Sequence, residues 1–143
     1  MKGNFKKIFL DTTPIIYLLD GDKNFGEKTC QIFSALSEQN VKFVSSVITM
    51  EEYLIYPYRN KNILLVKSFW DLVNENKIIL YPINLPDANK AAKIRAEYKH
   101  FKTLDSLQLA VAVLHGCDSF LTNDKQLKQF QEINCVTVEE WNF

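Results

Sequence analysis

Four carboxylates lie where predicted helices and strands begin or end, at Asp11, Glu52, Asp105 and Asp124. In an α/β fold such positions meet at one edge of the sheet, even when they are far apart in the sequence. A cluster of acids without a balancing charge raises the pKa of its carboxyl groups, and a divalent cation removes that conflict. Oxygen ligands without His or Cys favour Mg²⁺ or Mn²⁺ over Zn²⁺, and water activated by such an ion can attack a phosphodiester.

Each of these acids also has an ordinary structural explanation. Asp11 and Asp124 could serve as N-caps, and Asp105 could complement the dipole of its helix. Glu52 could be a solvated helix residue, as Glu51 is expected to be. Spacing alone does not decide between these explanations and a metal site.

The segment 103–125 carries two of the acids and is predicted to form a helix, a turn and a strand. Helical spacing predicts one apolar stripe along this helix, formed by Leu104, Leu107, Val111 and Leu114. Thr103 is expected to cap the start of this helix, and Gly116 is expected to end it. Residues 118–122 are then predicted to be a buried strand, with 123–124 capping one more helix.

Strands and helices are predicted to alternate along the rest of the chain. The predicted strands cover residues 6–11, 41–45, 77–83, 118–122 and 135–138. The first helix is predicted to begin after a hydroxyl cap at residue 12 or 13, with Pro14 as its first helical residue. Further helices are predicted to begin at residue 28, at residue 46 or 49, at residue 63 and at residue 86. Pro57 and Asn60 are expected to break the third helix near residue 56. This alternation predicts a parallel sheet covered by helices on both faces.

The composition indicates a single domain over residues 1–143 with a sizeable core. Hydrophobic residues make up 47%, with four Gly and four Pro, which argues against disorder. Lys plus Arg and Asp plus Glu both number 17, so no overall charge draws the chain to nucleic acid or to a membrane. Any contact with nucleic acid would have to come from a local patch.

The cysteines, Cys30, Cys117 and Cys135, are odd in number and lack a CxxC spacing. They are expected to be reduced, mostly buried thiols of a cytoplasmic protein. Zinc is a weak alternative, because His100 and His115 have no metal-type spacing. The sequence shows neither an apolar run of membrane-spanning length nor a signal-peptide pattern, so no membrane association is expected.

Four motifs in order resemble those of the PIN-domain family, most closely the small toxin ribonucleases of the VapC type. The motifs are IFLDTT with PIIY at 8–17, SVITMEE at 46–52, KTLDSLQLAVA at 102–112 and FLTNDK at 120–125. Together they span nearly the whole chain with suitable gaps. The family's S-x-x-T-x-x-E spacing, counted from Ser46, selects Glu52 rather than Glu51.

The resemblance implies a PIN-like three-layer sandwich with a five-stranded parallel sheet in the order 3-2-1-4-5. It implies Mg²⁺- or Mn²⁺-dependent cleavage of RNA, with the four acids binding the ion. Supporting roles would fall to Thr13, Thr122 and Asn123, although the family often has Asn or Ser where this chain has Thr13. A small antitoxin and a homodimer are implied as well.

Basic residues near the last two acids could hold the phosphates of an RNA substrate. The candidates are Arg95, Lys99, His100, Lys102 and Lys125. Arg95 and Lys99 share a helical face, but a solvated surface explains each of these residues equally well. Toxins that act on tRNA often carry more basic charge than this balanced chain. The segment YLIYPY at 53–58 could form a dimer or antitoxin surface, with core packing as an equal alternative.

The main competing hypothesis is a PIN fold kept as a non-catalytic RNA-binding or protein-interaction module. The presence of all four acids argues against it. Nucleotide-binding enzymes are disfavoured because the chain has neither GxGxxG nor GxxxxGK[ST]. A phosphoaspartyl enzyme of the haloacid-dehalogenase type would need a second Asp where Thr13 stands, and a receiver domain would need paired acids near the N-terminus.

Overall fold

A computed structural model describes residues 3–143 and shows a five-stranded sheet between two layers of helices. The strands are β1 (Lys7–Leu10), β2 (Lys42–Ser46), β3 (Ile79–Tyr81), β4 (Ser119–Thr122) and β5 (Asn134–Thr137). The helices are α1 (Thr12–Asp20), α2 (Gly26–Glu38), α3 (Val47–Arg59), α4 (Ile63–Glu75), α5 (Leu85–Glu97) and α6 (Thr103–Leu114), and a 3-10 helix (Lys125–Gln129) follows β4.

All strand pairs are parallel and their order is β3-β2-β1-β4-β5, as the resemblance implied. β1 is the central strand, and its successive side chains point to opposite faces of the sheet. Ile8 and Leu10 enter the core beneath α1 to α4, while Phe9 enters the core beneath α5 and α6. Phe9 stacks on Phe120 of β4 with ring centroids 5.0 Å apart. Burial on both faces explains why these strands are almost continuously apolar.

The preferred start of α1, a hydroxyl cap followed by Pro14, is wrong. The N-cap is Asp11, which was the alternative explanation for that acid, and its carboxylate accepts the Thr12 N–H. Pro14 is consequently the third residue of α1 and not the first. The start of α6 is displaced in the same sense, because Thr103 is already helical and Lys102 occupies the cap position. Caps are the part of a helix that sequence patterns place least securely.

Pro57 does not break α3, contrary to the prediction. The helix continues to Arg59 and ends at Asn60, whose N–H bonds to the Tyr56 carbonyl. Pro57 lies in the last turn with its ring buried. Proline removes the one bond that an N–H at residue 57 would donate to the Tyr53 carbonyl, and α3 continues past it without that bond.

The apolar stripe predicted for α6 does not face the core along its length. Leu104 is 44% exposed and Leu114 is 47% exposed. The buried face of α6 consists instead of its central run, Ser106 and Gln108–Ala112. The small alanines allow the helix to pack closely against α5 and the sheet. The predicted stripe was based on the large apolar side chains alone, so it did not include the small residues that form most of the buried face.

A further prediction concerns the thiols. Cys117 and Cys135 are buried, Cys30 is exposed, and all three are free, in agreement with reduced, mostly buried thiols. Trp141 is buried and lies against Phe5, with ring centroids 5.6 Å apart. Within residues 3–143, none of the helices combines the length and the apolar character that a membrane crossing requires.

Candidate active site

The four predicted acids occupy element ends at the carboxyl edge of the central strands. Asp11 follows β1 directly, and Asp124 follows β4 after one intervening residue. Glu52 lies in the second turn of α3, the helix that follows β2, and Asp105 lies in the first turn of α6. Asp11, Glu52 and Asp124 all act electrostatically on Asp105, so the fold brings the four carboxylates into one cluster.

Asp11 is the most buried member of the cluster, with 8% of its surface exposed. Its Oδ1 accepts the Thr12 N–H at 2.8 Å, and its Oδ2 accepts the Thr122 hydroxyl at 2.8 Å. Burial raises the pKa of Asp11, the bond from Thr122 opposes that rise, and the charge of Glu52 adds to it. The two donors therefore hold the carboxylate in a fixed orientation while its surroundings disfavour its charge.

Asp105 is half-buried and faces the other three acids. Burial is the largest cause that raises its pKa to about 6, followed by the charges of Asp11, Asp124 and Glu52. Lys102 acts in the opposite direction but does not balance them. The expected rise in carboxyl pKa values is confirmed for Asp11 and Asp105, although burial contributes more than like-charge repulsion.

Glu52 and Asp124 form the more open side of the cluster. The Oε1 atom of half-buried Glu52 accepts the Thr12 hydroxyl at 2.7 Å, whereas Glu51 is exposed. Asp124 is exposed and caps the 3-10 helix by accepting the Gln126 N–H at 3.0 Å. Its capping role and its place in the cluster coexist, so the two explanations given for Asp124 are not exclusive.

The three predicted supporting residues differ in their contacts. Thr122 is fully buried and bonds directly to Asp11. The Asn123 side chain bonds to the Tyr17 hydroxyl at 3.0 Å and accepts the Glu139 N–H at 3.0 Å, so it fixes the chain after β4. Thr13 makes no side-chain hydrogen bond to any residue in 3–143, and the neighbouring Thr12 makes the contact with Glu52 instead.

The predicted RNA-contact residues also divide into two groups. Arg95 bonds to the Phe101 carbonyl at 3.1 Å and to the Thr103 hydroxyl at 2.9 Å, which ties α5 to the start of α6. Lys125 forms an ion pair with Glu139 at 2.9 Å. The other three, Lys99, His100 and Lys102, are exposed in the short connection between α5 and α6.

Sequence reasoning missed Gln108, which is 1% exposed and bonds to Thr49 at 2.7 Å and to Asp11 at 3.4 Å. It also missed the buried hydroxyl groups of Ser46 and Thr49 behind the acids. A signal for Gln108 was present, because it is the one amide within the apolar run Leu107–Val113 and lies one turn after Asp105. Buried polar side chains need partners, so its position implied a polar contact in the interior.

The donor chemistry of the cluster fits a hard divalent cation. All four side chains offer carboxylate oxygens, and their mutual repulsion is incompletely balanced by Lys102. Across residues 3–143, however, no three His, Cys, Asp or Glu side chains are close enough together to hold one metal ion. The acids are therefore gathered without forming a closed ligand cage, and Asp11 and Glu52 also accept bonds from hydroxyl and main-chain donors.

The model of the PIN domain family matches residues 8–133 of this chain. A search among curated proteins found no match. VapBC2 from Rickettsia felis, bound to a DNA fragment from its promoter, has a TM-score of 0.74 at 14% identity, covering 92% of this chain and 98% of that chain. A toxin–antitoxin complex from Klebsiella pneumoniae has a TM-score of 0.71 at 23% identity, covering 92% and 97%. VapC20 from Mycobacterium tuberculosis, a Sarcin-Ricin loop cleaving toxin, has 0.64 at 14% identity, covering 89% and 98%. These structures share the fold of this chain.

Proposed function

This chain belongs to the PIN domain family, and we propose that it is a metal-dependent endoribonuclease, the toxin of a toxin–antitoxin pair. The observation that carries the proposal is the electrostatic coupling of Asp11, Glu52, Asp105 and Asp124 at one edge of the sheet. Such a surplus of negative charge is unfavourable without a ligand and favours a cation. Perturbed carboxyl pKa values of this kind concentrate at functional sites.

The four acids would hold the ion, with Mg²⁺ or Mn²⁺ preferred for all-oxygen ligands. The chemistry such an ion supplies is neutralisation of the phosphate charge and activation of the attacking water. The chain's own part is to keep Asp11 oriented through Thr12 and Thr122, and to keep Glu52 oriented through Thr12.

RNA is the proposed substrate, either tRNA or a structured ribosomal segment. One structural neighbour, VapC20, is described as cleaving the Sarcin-Ricin loop. In this chain the exposed residues between α5 and α6, Lys99, His100 and Lys102, lie next to the helix that begins with Asp105. Lys102 is near enough to affect the Asp105 carboxyl group, so it is the best placed of them to contact a phosphate beside the acids.

A small antitoxin is the proposed protein partner, since neighbours of this fold have been solved as toxin–antitoxin complexes. The sequence segment expected to offer such a surface is partly exposed. Tyr56 and Tyr58 of α3 and Ile63 and Leu64 of α4 are exposed, whereas Tyr53 is buried. A homodimer in the cytoplasm is proposed with it, and the oligomeric state is measurable by light scattering.

A non-catalytic PIN module is the second candidate, and one observation favours it. No three acids within the described part of the chain are close enough to share an ion. In that case the cluster would lack the metal on which hydrolysis depends, and the chain would bind RNA or protein without cleaving it.

Cleavage assays with purified protein distinguish the two candidates. Total tRNA and a structured ribosomal RNA are incubated with Mn²⁺, Mg²⁺ or EDTA, using the parent, Asp105→Asn and the matched surface control Glu51→Gln. Discrete fragments that require metal, persist in the control and vanish in Asp105→Asn are the expected result. Cleavage that survives Asp105→Asn would indicate a contaminant. RNA binding by the parent without cleavage would support the non-catalytic module.

A further inference from the structure

Gln108 is an uncharged side chain placed behind the acidic cluster. It lies in α6 one turn after Asp105, and 1% of its surface is exposed. Its amide nitrogen donates to the Thr49 hydroxyl at 2.7 Å and to Asp11 Oδ1 at 3.4 Å. Its amide oxygen accepts the Ser46 hydroxyl. A single side chain thus contacts the junction after β1 and the junction after β2.

The orientation of this amide is fixed by its neighbours. Asp11 as a carboxylate only accepts hydrogen bonds, so it must face the NH₂ group of Gln108 and not the amide oxygen. Ser46 already accepts the Ile48 N–H at 3.1 Å, which leaves its own proton to be donated to Gln108. Rotating the amide by half a turn would place its oxygen against the Asp11 carboxylate, so that two acceptors would face each other.

Beyond Gln108 the bonds continue in one direction toward Glu52. Thr12 donates its single hydroxyl proton to Glu52 at 2.7 Å. The proton between Thr49 and Thr12, whose oxygens are 3.3 Å apart, therefore belongs to Thr49. Thr49 can supply it because its oxygen accepts from Gln108. The chain of donors runs from Gln108 through Thr49 and Thr12 and ends on the Glu52 carboxylate.

These contacts connect the two acids from the side that faces the protein interior. Asp11 receives a bond from Gln108 directly, and Glu52 receives one through Thr49 and Thr12. All three intermediates are buried, so water does not compete for their bonds. Thr12 binds the Oε1 atom of Glu52, so the chain of donors leaves its Oε2 atom unoccupied.

We infer that Gln108 is a positioning residue that sets the orientation of Asp11 and Glu52 together, through one directional chain of hydrogen bonds. Its consequence for ion binding and RNA cleavage rests on the proposed function, whereas the orientation of the two carboxylates does not. Partners that orient metal ligands in this way commonly change metal affinity or activity by about 10- to 100-fold when they are removed.

The first pair of variants compares Gln108→Met with Ser106→Ala. Methionine keeps the length and burial of Gln108 but cannot donate, while Ser106 is a buried polar residue of the same helix that bonds to the Thr103 carbonyl and not to the acids. Binding of Mn²⁺ alone is measured by electron paramagnetic resonance. We expect Gln108→Met to bind about 10- to 100-fold more weakly, and Ser106→Ala to match the parent.

A second pair tests the chain of bonds without removing Gln108. Thr49→Val removes the hydroxyl from the middle of the chain, and Thr49→Ser retains it. The serine variant should recover most of the Mn²⁺ affinity that the valine variant loses. In cleavage assays Gln108→Met should lower kcat and leave the KM for RNA nearly unchanged, because Gln108 is buried away from the substrate. This pair also carries the test if Gln108→Met fails to fold.

The outcomes separate this inference from the proposed function. Lower melting temperatures with unchanged Mn²⁺ affinity would overturn the inference and make Gln108 an ordinary core residue. If the parent itself binds no Mn²⁺, the proposed function fails, and crystal structures of the metal-free parent and Gln108→Met decide the inference. Displaced Asp11 and Glu52 carboxylates in the variant would support it, and unmoved carboxylates would refute it.

Discussion

Asp11 and Asp87 are both buried carboxylates, with 8% and 2% of their surfaces exposed, but they have different neighbours. Asp87 lies in the first turn of α5, accepts the Asn84 N–H at 2.9 Å and has His115 Nε2 at 3.7 Å. The positive end of the helix dipole and an imidazole thus face a single acid there. Asp11 instead faces Glu52 and Asp105, which carry the same charge.

The difference separates a carboxylate with no like charge among these neighbours from carboxylates that face one another. Burial alone does not distinguish the two, since Asp87 is the more buried. What distinguishes them is whether the neighbouring groups satisfy the charge within the protein. At Asp87 the Asn84 N–H and the helix start face the carboxylate, and at the acidic cluster Lys102 leaves three like charges around Asp105 incompletely balanced.

The largest expected effect is on catalysis. Asp105→Asn should reduce kcat for RNA cleavage on the order of 10³-fold, corresponding to a loss of about 4 kcal/mol of transition-state stabilisation. Asp87→Asn should leave cleavage close to that of the parent at a temperature where both are folded. Single-turnover cleavage with Mn²⁺ measures the rate of each variant. Equal losses of rate in the two variants would show that Asp105 and Asp87 do not differ in their importance for cleavage.

The second-largest expected effect is on the stabilisation that a metal ion gives to each variant. A ligand that binds only the native state at 100 times its Kd stabilises it by about 2.7 kcal/mol. We expect Mn²⁺ to raise the melting temperature of the parent and of Asp87→Asn, and to have little effect on Asp105→Asn. Calorimetry with Mn²⁺ and with EDTA provides the measurement. Stabilisation that persists in Asp105→Asn would place the ion elsewhere.

In the absence of metal, we expect substitution of Asp87 to lower the free energy of unfolding more than substitution of Asp105. Asp87→Ala removes a buried charged acceptor from a helix start and should cost about 2 kcal/mol of unfolding free energy. Asp105→Ala relieves repulsion and loses a dipole contact of a few tenths of a kcal/mol, so its net change should be near zero. Urea unfolding in EDTA measures both. A greater loss for Asp105→Ala would assign that residue a structural role.

The smallest expected effect is the pH dependence of the metal-free protein. The pKa of Asp105 is raised from 3.8 to about 6, so between these values the native state binds more protons than the unfolded state. Stability from this group is then complete below pH 3.8 and is lost as pH rises through about 6. Solvent screening limits the loss to roughly 1 kcal/mol.

Unfolding in EDTA at pH 4 and pH 7 tests this trend, with Asp105→Asn as the reference that lacks the titration. The parent should lose stability relative to Asp105→Asn as pH rises. A constant difference between the two proteins would show that Asp105 is not perturbed by its neighbours.

The gathering of the acids could be predicted because it follows from topology. Parallel strands end at one edge, so Asp11 after β1 and Asp124 after β4 had to approach each other once the sheet order was fixed. The start of α3 was likewise predictable, because Ser46 was one of two proposed caps and is the residue that accepts the Ile48 N–H. Local chemistry and sheet geometry agree at these points.

The contacts behind the acids could not be predicted in the same way. Thr12 and Thr13 are equivalent as neighbours in sequence, and the rotation of α1 decides that Thr12 meets Glu52. Gln108 contacts residues that are 59 and 97 positions away, which no local pattern contains. The buried face of α6 was misplaced for a related reason, since close packing of alanines depends on the partner helix.

The central place of β1 also governs when the acidic cluster can exist during synthesis. β1 pairs with β2, which leaves the ribosome soon afterwards, and with β4, which is more than 100 residues later in the chain. The bond between Thr122 and Asp11 closes a separation of 111 residues, and closing long loops is slow. A nascent chain therefore carries Asp11 and Glu52 long before it acquires Asp105 and Asp124. The edge is complete only once β4 and the residues that follow it have left the ribosome.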